Sequence, residues 1–173
     1  MGRHGAVTFK GNPLTLVGNE VQVGAPAPDF DLVCFGEGGM QHIHKADLLG
    51  KPAIISVVPS LDTPVCQVQT KTFNQRLAAL GDKVTALTVS LDLPFAMNRF
   101  CGAESIKSMR SGSDYMDRNF GQQWGLLIDE LKILARAVYV LDAEGIVRYA
   151  QLVKEVASEP EYDAAIAALE KLV

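Results

Sequence analysis

Cys66 is the residue whose setting in the sequence points most directly to reactivity. Thr63-Pro64 just before it has the form of a helix start, with Thr63 at the N-cap and Pro64 at the first helical position. A thiol in the first turn of a helix faces N–H groups without a partner inside the helix and the positive end of the macrodipole. Both favour the thiolate, the nucleophilic form of cysteine. A free thiol of pKa about 8.5 is only about 3% thiolate at pH 7, whereas one of pKa about 6 is roughly 90% thiolate. That gain alone does not make a fast reaction; some other group has to stabilise the transition state. The pattern also fits Cys66 as an ordinary buried helix residue.

Arg136 is the second residue that stands out, because it interrupts the apolar run Ile133 to Val140. A charge there needs a partner. The run itself fits either a salt bridge to a carboxylate or a functional cation. The other thiols, Cys34 and Cys101, are distant in sequence, and no CxxC pair is present. Neither a zinc ribbon nor a thioredoxin-type dithiol is therefore written here. Cys34 follows Leu32-Val33 in a strand pattern and reads as an inert structural thiol. His42 and His44 share a face if their segment is a strand. Two histidines hold a metal only with a third ligand, which the sequence does not identify, so they read as surface residues.

The elements that would position these residues follow from apolar patterning. Residues 6–23 read as an N-terminal β-hairpin broken at Gly11-Asn12-Pro13. Phe30 to Cys34 and Met40 to His44 read as strands across a glycine-rich turn. Ala53 to Val58 is a nearly unbroken apolar run, the mark of a strand buried on both faces. A helix from Thr63 to Gly81 follows, with Val65, Val68, Phe73, Leu77 and Leu80 on its apolar face. Val84 to Leu91 is a second buried strand, so the succession implies a parallel pair with a crossover helix. Pro94 opens a short helix carrying Phe95, Arg99 and Cys101. Residues 103–130 are irregular. Ala137 to Leu141 and Ile146 to Val153 form a hairpin through Asp142-Ala143-Glu144-Gly145. Pro160 starts a last helix with Tyr162, Ile166, Leu169 and Leu172 on one stripe. The order predicts an α/β, thioredoxin-like fold, a mixed central sheet flanked by helices, with residues 1–173 as one domain.

Composition narrows the function classes. The chain has 173 residues, 48% of them apolar and 21% charged, and a net charge of −4. That is ordinary globular composition and argues against a nucleic-acid surface. No apolar stretch reaches the length of a membrane span, and the first residues lack a signal-peptide core. A cytoplasmic protein without metal or other cofactor is the expectation.

Pro59-x-x-x-Thr63-x-x-Cys66 resembles the active-site signature of peroxiredoxins, and Pro59 to Cys66 as a whole resembles their thiol peroxidase branch. Asp92 to Ala96 with Arg99 to Glu104 resembles that branch's resolving-cysteine segment. Leu134 to Val138 resembles its active-site arginine strand. Gln151 to Val153, Glu155 and Glu159 to Tyr162 resemble its C-terminal segment. The resemblance runs from about Phe9 to the end. It implies an atypical two-cysteine peroxidase in which Cys66 is peroxidatic and Cys101 resolving, the two forming a disulfide within one chain. Thr63 would hydrogen-bond the substrate or thiolate, Arg136 would stabilise the developing negative charge, and Pro59 would cover the site. Hydroperoxides would be the substrates, thioredoxin the reductant, and a homodimer the assembly. Trp124 departs from the pattern, standing where a smaller aromatic is usual, and is expected to alter the pocket or a dimer edge. A peroxide sensor that signals by partner binding is the alternative. A cysteine hydrolase is disfavoured because His4, His42 and His44 all lie upstream with no motif tying them to Cys66. A glutaredoxin-like reductase would need a second close cysteine.

Overall fold

The computed structural model describes all residues, Met1–Val173. Its centre is a seven-stranded mixed sheet, built outward from the two apolar runs. Strand β5 (Ala53–Val57) is buried at every position, and β6 (Thr85–Ser90) lies parallel beside it. On the other side of β5, β9 (Ala137–Leu141) pairs antiparallel and continues through a hairpin into β10 (Val147–Leu152). Asp142 shapes that hairpin turn, its carboxylate accepting from the N–H groups of Glu144 and Ile146. Beyond β6 come β7 (Arg110–Ser113, parallel), then β3 (Asp31–Gly36) and the edge strand β4 (Gly39–His44), both in antiparallel pairing. The sheet order is β10-β9-β5-β6-β7-β3-β4.

Strand alternation sends neighbouring side chains to opposite faces. Ala53, Ile55, Val57, Tyr139 and Leu141 therefore enter one core with Phe30, Phe120 and Trp124. Ile54, Val138 and Val140 enter the other. That second core is covered by α1 (Pro64–Leu77) through Phe73 and Leu77, and by α4 (Tyr162–Glu170) through Ala165, Ile166 and Leu169. The helix α2 (Pro94–Ala103) buries only Pro94 and Met97. A short α3 (Asn119–Gln123) carries Phe120.

A second, three-stranded sheet joins β1 (Gly2–Phe9), β2 (Asn12–Val17) and the two-residue β8 (Leu127–Ile128). The hairpin turn is Lys10-Gly11, both at positive φ (50° and 82°). That is the two-residue turn whose twist matches the strands. The hairpin so formed begins earlier than the expected 6–23 and ends sooner, because Gly18 at φ 89° turns the chain away. β1 is stitched to the C-terminal segment by Thr8 N–H to the Lys154 carbonyl (2.7 Å) and Val156 N–H to the Thr8 carbonyl (2.8 Å). No helix is long and apolar enough to cross a membrane.

The apolar face expected for α1 is corrected in part. Phe73 and Leu77 face the core, but the rest of its buried stripe is Cys66, Gln69 and Thr70, while Val68 is exposed. Gln69 faces inward because its amide finds partners there, as described below, and the Thr70 hydroxyl is satisfied within the helix by the Cys66 carbonyl at 2.9 Å. Trp124 likewise does not line the large pocket described below; it borders only a small cavity with Tyr139 and Leu126. It is almost fully buried, stacked on Phe120 (4.8 Å, 15°) and edge-on to Tyr139 (4.9 Å).

Candidate active site

The chain leaves β5 at Val57, turns through residues 58–63 and enters α1 with Cys66 in its first turn. The turn is fixed by Asp92, just past the end of β6. Its carboxylate accepts from Ser60 Oγ (2.7 Å), the Leu61 N–H (2.7 Å) and Ser90 Oγ (2.6 Å). One carboxylate thus ties the loop ahead of the helix to the end of the neighbouring parallel strand. Reading the sequence placed Asp92 only in a segment that resembles a family motif. The usable signal was a serine and an aspartate each following a buried parallel strand.

Thr63 occupies the N-cap position, but its hydroxyl does not cap the helix. It donates instead to the Ser60 carbonyl at 2.8 Å, while the Thr63 carbonyl takes the Gln67 N–H at 3.0 Å. Pro64, with no N–H, removes part of the need for a side-chain cap. The hydroxyl's lone pairs remain free to accept.

Cys66 is fully buried and packs with Val58, Leu61 and Met97, with Phe100 of α2 beside them. Arg136 sits immediately before β9 and is also buried. Its Nε and Nη2 donate to the Val156 carbonyl (3.0 and 2.9 Å), and its Nη1 donates to Gln69 Oε1 (2.9 Å). Gln69 is held in turn by its amide nitrogen donating to Ser56 Oγ (2.8 Å). No carboxylate lies within ion-pair distance of Arg136. The salt-bridge alternative for this arginine is therefore set aside. Its partners are neutral, its charge is uncompensated, and two of its five N–H groups are still unused.

A pocket of about 380 Å³ opens over this region. Pro59, Thr63, Pro64, Val65 and Arg136 form one side, and Phe9, Leu131, Ile133 and Val156 supply apolar walls. The hairpin thus contributes Phe9 directly and braces Val156 through β1. Glu155 adds to the brace: its carboxylate accepts from the Ala157 N–H (2.8 Å), the Gly11 N–H (3.0 Å) and Thr8 Oγ1 (3.1 Å). These hydrogen bonds, Ala157 foremost and then Gly11, hold the Glu155 carboxyl below the usual range.

Pro59, Thr63 and Arg136 thus meet at one pocket beside the first turn of α1, whereas Cys66, in that turn, is fully buried and does not line it. Cys101 does not join them. It is half-buried in α2 against the core that contains Phe73 and Leu77, and all three cysteines are free thiols. Burial pushes the Cys101 thiol up, opposed in part by a hydrogen bond with Ser111. Cys34 is buried in β3 with Arg110 Nη2 at 3.8 Å from its sulfur. His42 and His44 are exposed on β4.

A thioredoxin-like sheet with a cysteine in the first turn of a helix, and a buried arginine lining a pocket beside that turn, defines a class of thiol redox proteins, and comparison with known proteins agrees. The redoxin family model matches residues 22–166. The thiol peroxidase of Bacillus subtilis is 48% identical over 96% of this chain and 98% of its own length. That of Streptococcus gordonii is 46% identical over 95% and 99%. Among solved structures, a peroxiredoxin-like protein from Aquifex aeolicus superposes with a TM-score of 0.87 at 39% identity, covering 99% of this chain and all of that one. A thiol peroxidase from Chromobacterium violaceum, at 17% identity and TM-score 0.82 over 95% of both chains, shares the fold. The chain belongs to the redoxin family and, within it, to the thiol peroxidases.

Proposed function

We propose that this chain reduces hydrogen peroxide and organic hydroperoxides at Cys66 and carries the oxidation to Cys101. The observation that carries this reading is Arg136: a buried cation without a carboxylate partner, lining a pocket beside the helix turn that contains the Cys66 thiol. A cation in that state stabilises negative charge far better than one already paired.

The Cys66 thiolate attacks the terminal peroxide oxygen in line with the O–O bond. A sulfur–oxygen bond forms, the O–O bond breaks, and the leaving alkoxide or hydroxide takes a proton to become alcohol or water. Cys66 is left as sulfenic acid. Thr63 orients the substrate. Its own proton is committed to the Ser60 carbonyl, so Oγ1 accepts the hydroperoxide O–H and aims the oxygen at sulfur. The spare N–H groups of Arg136 hold the charge that develops along the breaking bond. Pro59 closes the rim and limits water. The apolar walls suit an alkyl or aryl substituent on the peroxide.

The Cys101 thiol then attacks the sulfenic sulfur, water leaves, and a disulfide forms. A disulfide needs Cα atoms roughly 5.5 Å apart, while the two cysteines pack in different clusters. Local unwinding has to bring them together, and thioredoxin returns both thiols. The whole chain, 1–173, acts as one unit in this reading, because the hairpin braces the segment that holds Arg136. It works as a cytoplasmic homodimer.

Stopped-flow mixing of reduced protein with one equivalent of cumene hydroperoxide, followed by disulfide mapping, tests it. Peroxide loss orders of magnitude faster than with a free thiol, abolished in Cys66→Ser, with a Cys66–Cys101 product, is the expected result. A free-thiol rate, or a disulfide through Cys34, overturns it.

A further inference from the structure

The edge ribbon formed by β3 and β4 gathers a constellation that peroxide chemistry does not use. Asp31 stands opposite His44 in the antiparallel register, and His42 lies two residues further along the same face of β4. His42 Nδ1 is 2.6 Å from Asp31 Oδ1, and His44 Nε2 is 3.6 Å from the same oxygen. The two imidazoles lie nearly parallel, 12° apart, with centroids separated by 6.1 Å. One ligand atom from each of the three residues falls within 4.8 Å of the other two.

We propose that Asp31, His42 and His44 bind a first-row divalent transition-metal ion, with Zn²⁺ the representative. Two imidazoles and a carboxylate are the donor set such ions take when three protein ligands leave a position to water. Tetrahedral coordination at about 2.0–2.1 Å places ligand atoms about 3.3–3.4 Å apart. The Asp31–His44 spacing already matches. The Asp31–His42 spacing has to open by less than about 1 Å, within the reach of half-exposed side chains.

The surroundings orient the ligands. The two hydrogen bonds of Asn119 clamp the Asp31 backbone, Oδ1 taking its N–H at 2.8 Å and Nδ2 donating to its carbonyl at 2.7 Å. The ring of His44 turns Nε2 to Asp31 and Nδ1 toward Asp47 Oδ2, 3.9 Å away, while Asp47 is itself fixed by the His44 N–H at 2.8 Å. At 3.9 Å the Asp47 carboxylate makes no hydrogen bond to the ring; a small side-chain turn would bring it to the place where a carboxylate supports the far nitrogen of a metal-bound histidine. The neighbouring cation, Lys45, is engaged with Asp29 (3.3 Å) and the Ala27 carbonyl (2.9 Å). The site lies four strand positions from β5, roughly 19 Å at about 4.8 Å per strand. A bound ion crosslinks the open end of the edge ribbon and leaves the Cys66 pocket untouched.

The test is titration of the full-length ¹⁵N-labelled protein with Zn²⁺, following the imidazole nitrogens by NMR. His4, on β1, is an internal control. The His42 and His44 ring signals are expected to move together and saturate at one equivalent while His4 stays fixed. Asp31→Asn is expected to weaken binding roughly tenfold or more, with peroxide reduction unchanged. The proposal is overturned if the His42 and His44 signals do not move, if His4 moves in parallel, if Zn²⁺ perturbs only cysteines, or if Asp31→Asn binds as well as the parent.

Discussion

The two helices that carry Cys66 and Cys101 are built in opposite ways. The start of α1 is over-determined. Asp92 grips the loop before it, Gln69 links it to Ser56 and Arg136, and five of its side chains are buried. The α2 helix is loosely seated. It buries two side chains, leaves Phe95 and its N-cap Leu93 mostly exposed, and contains Gly102 beside Cys101. A helix with so little burial opens at low cost, and a glycine in its last turn lowers that cost further. In the proposed reaction, rigidity thus sits where a charged transition state is met by fixed groups, and looseness where a thiol has to travel.

Removing the nucleophile at the rigid end has the largest expected effect. Cys66→Ser should lower peroxide reduction by on the order of 10⁴-fold or more, read by stopped flow. If the rate persists, the rigid end is not the reaction centre. Next comes the cation. Arg136→Met should slow the peroxide step about 10²–10³-fold. The acceptors it strands, Gln69 Oε1 and the Val156 carbonyl, should cost about 1–3 kcal/mol in urea unfolding.

The loose end is sharpened by stiffening it. A Cβ at Gly102 meets nothing within 4 Å, so Gly102→Ala fits without strain. It should stabilise α2 by about 0.5–1 kcal/mol. Disulfide formation, timed by quenched-flow mass spectrometry, should slow about two- to fivefold, with the peroxide step unchanged. An equal slowing of both steps would erase the contrast between the helices.

The smallest effect concerns the brace. The Glu155 carboxyl is held low, so its contribution is present above the unfolded value near 4.5 and is lost as pH falls through the folded one. Stability should fall in that acid window. Glu155→Gln should flatten that part of the urea-midpoint profile and change activity at neutral pH less than about threefold.

What could be read from the sequence follows the range of the interactions involved. β5, β6, β9 and β10 were legible because strands buried on both faces, or paired through a tight turn, announce themselves in consecutive residues. β7, α3 and β8 were not, since four polar residues, one short turn of helix and a two-residue strand carry no period. Cys66 and Arg136 stood out from their own settings and family resemblance added Pro59 and Thr63; Pro59, Thr63 and Arg136 line one pocket, while Cys66 lies buried in the helix turn beside it. The sequence could not show that Thr63 turns its hydroxyl to Ser60, that Gln69 rather than Val68 faces inward, or that Asp31 joins the two histidines. The last two depend on partners more than ten residues away, and the first on a turn geometry that residue types alone do not set. The misjudged face of α1 is instructive. Apolar periodicity favoured valines, yet a buried amide that answers a buried guanidinium outranks them.

Arg136 keeps company only with an amide and a peptide carbonyl, neither of which carries or loses a proton across the working range. An anion that reaches the pocket has no resident carboxylate to displace. Small anions should therefore compete with the reacting oxygen according to size and hydration, beyond general screening. Peroxide reduction compared in chloride and in a bulky organic salt at equal ionic strength would expose the difference. The ionic make-up of the surrounding fluid becomes, in that sense, a rheostat on the enzyme.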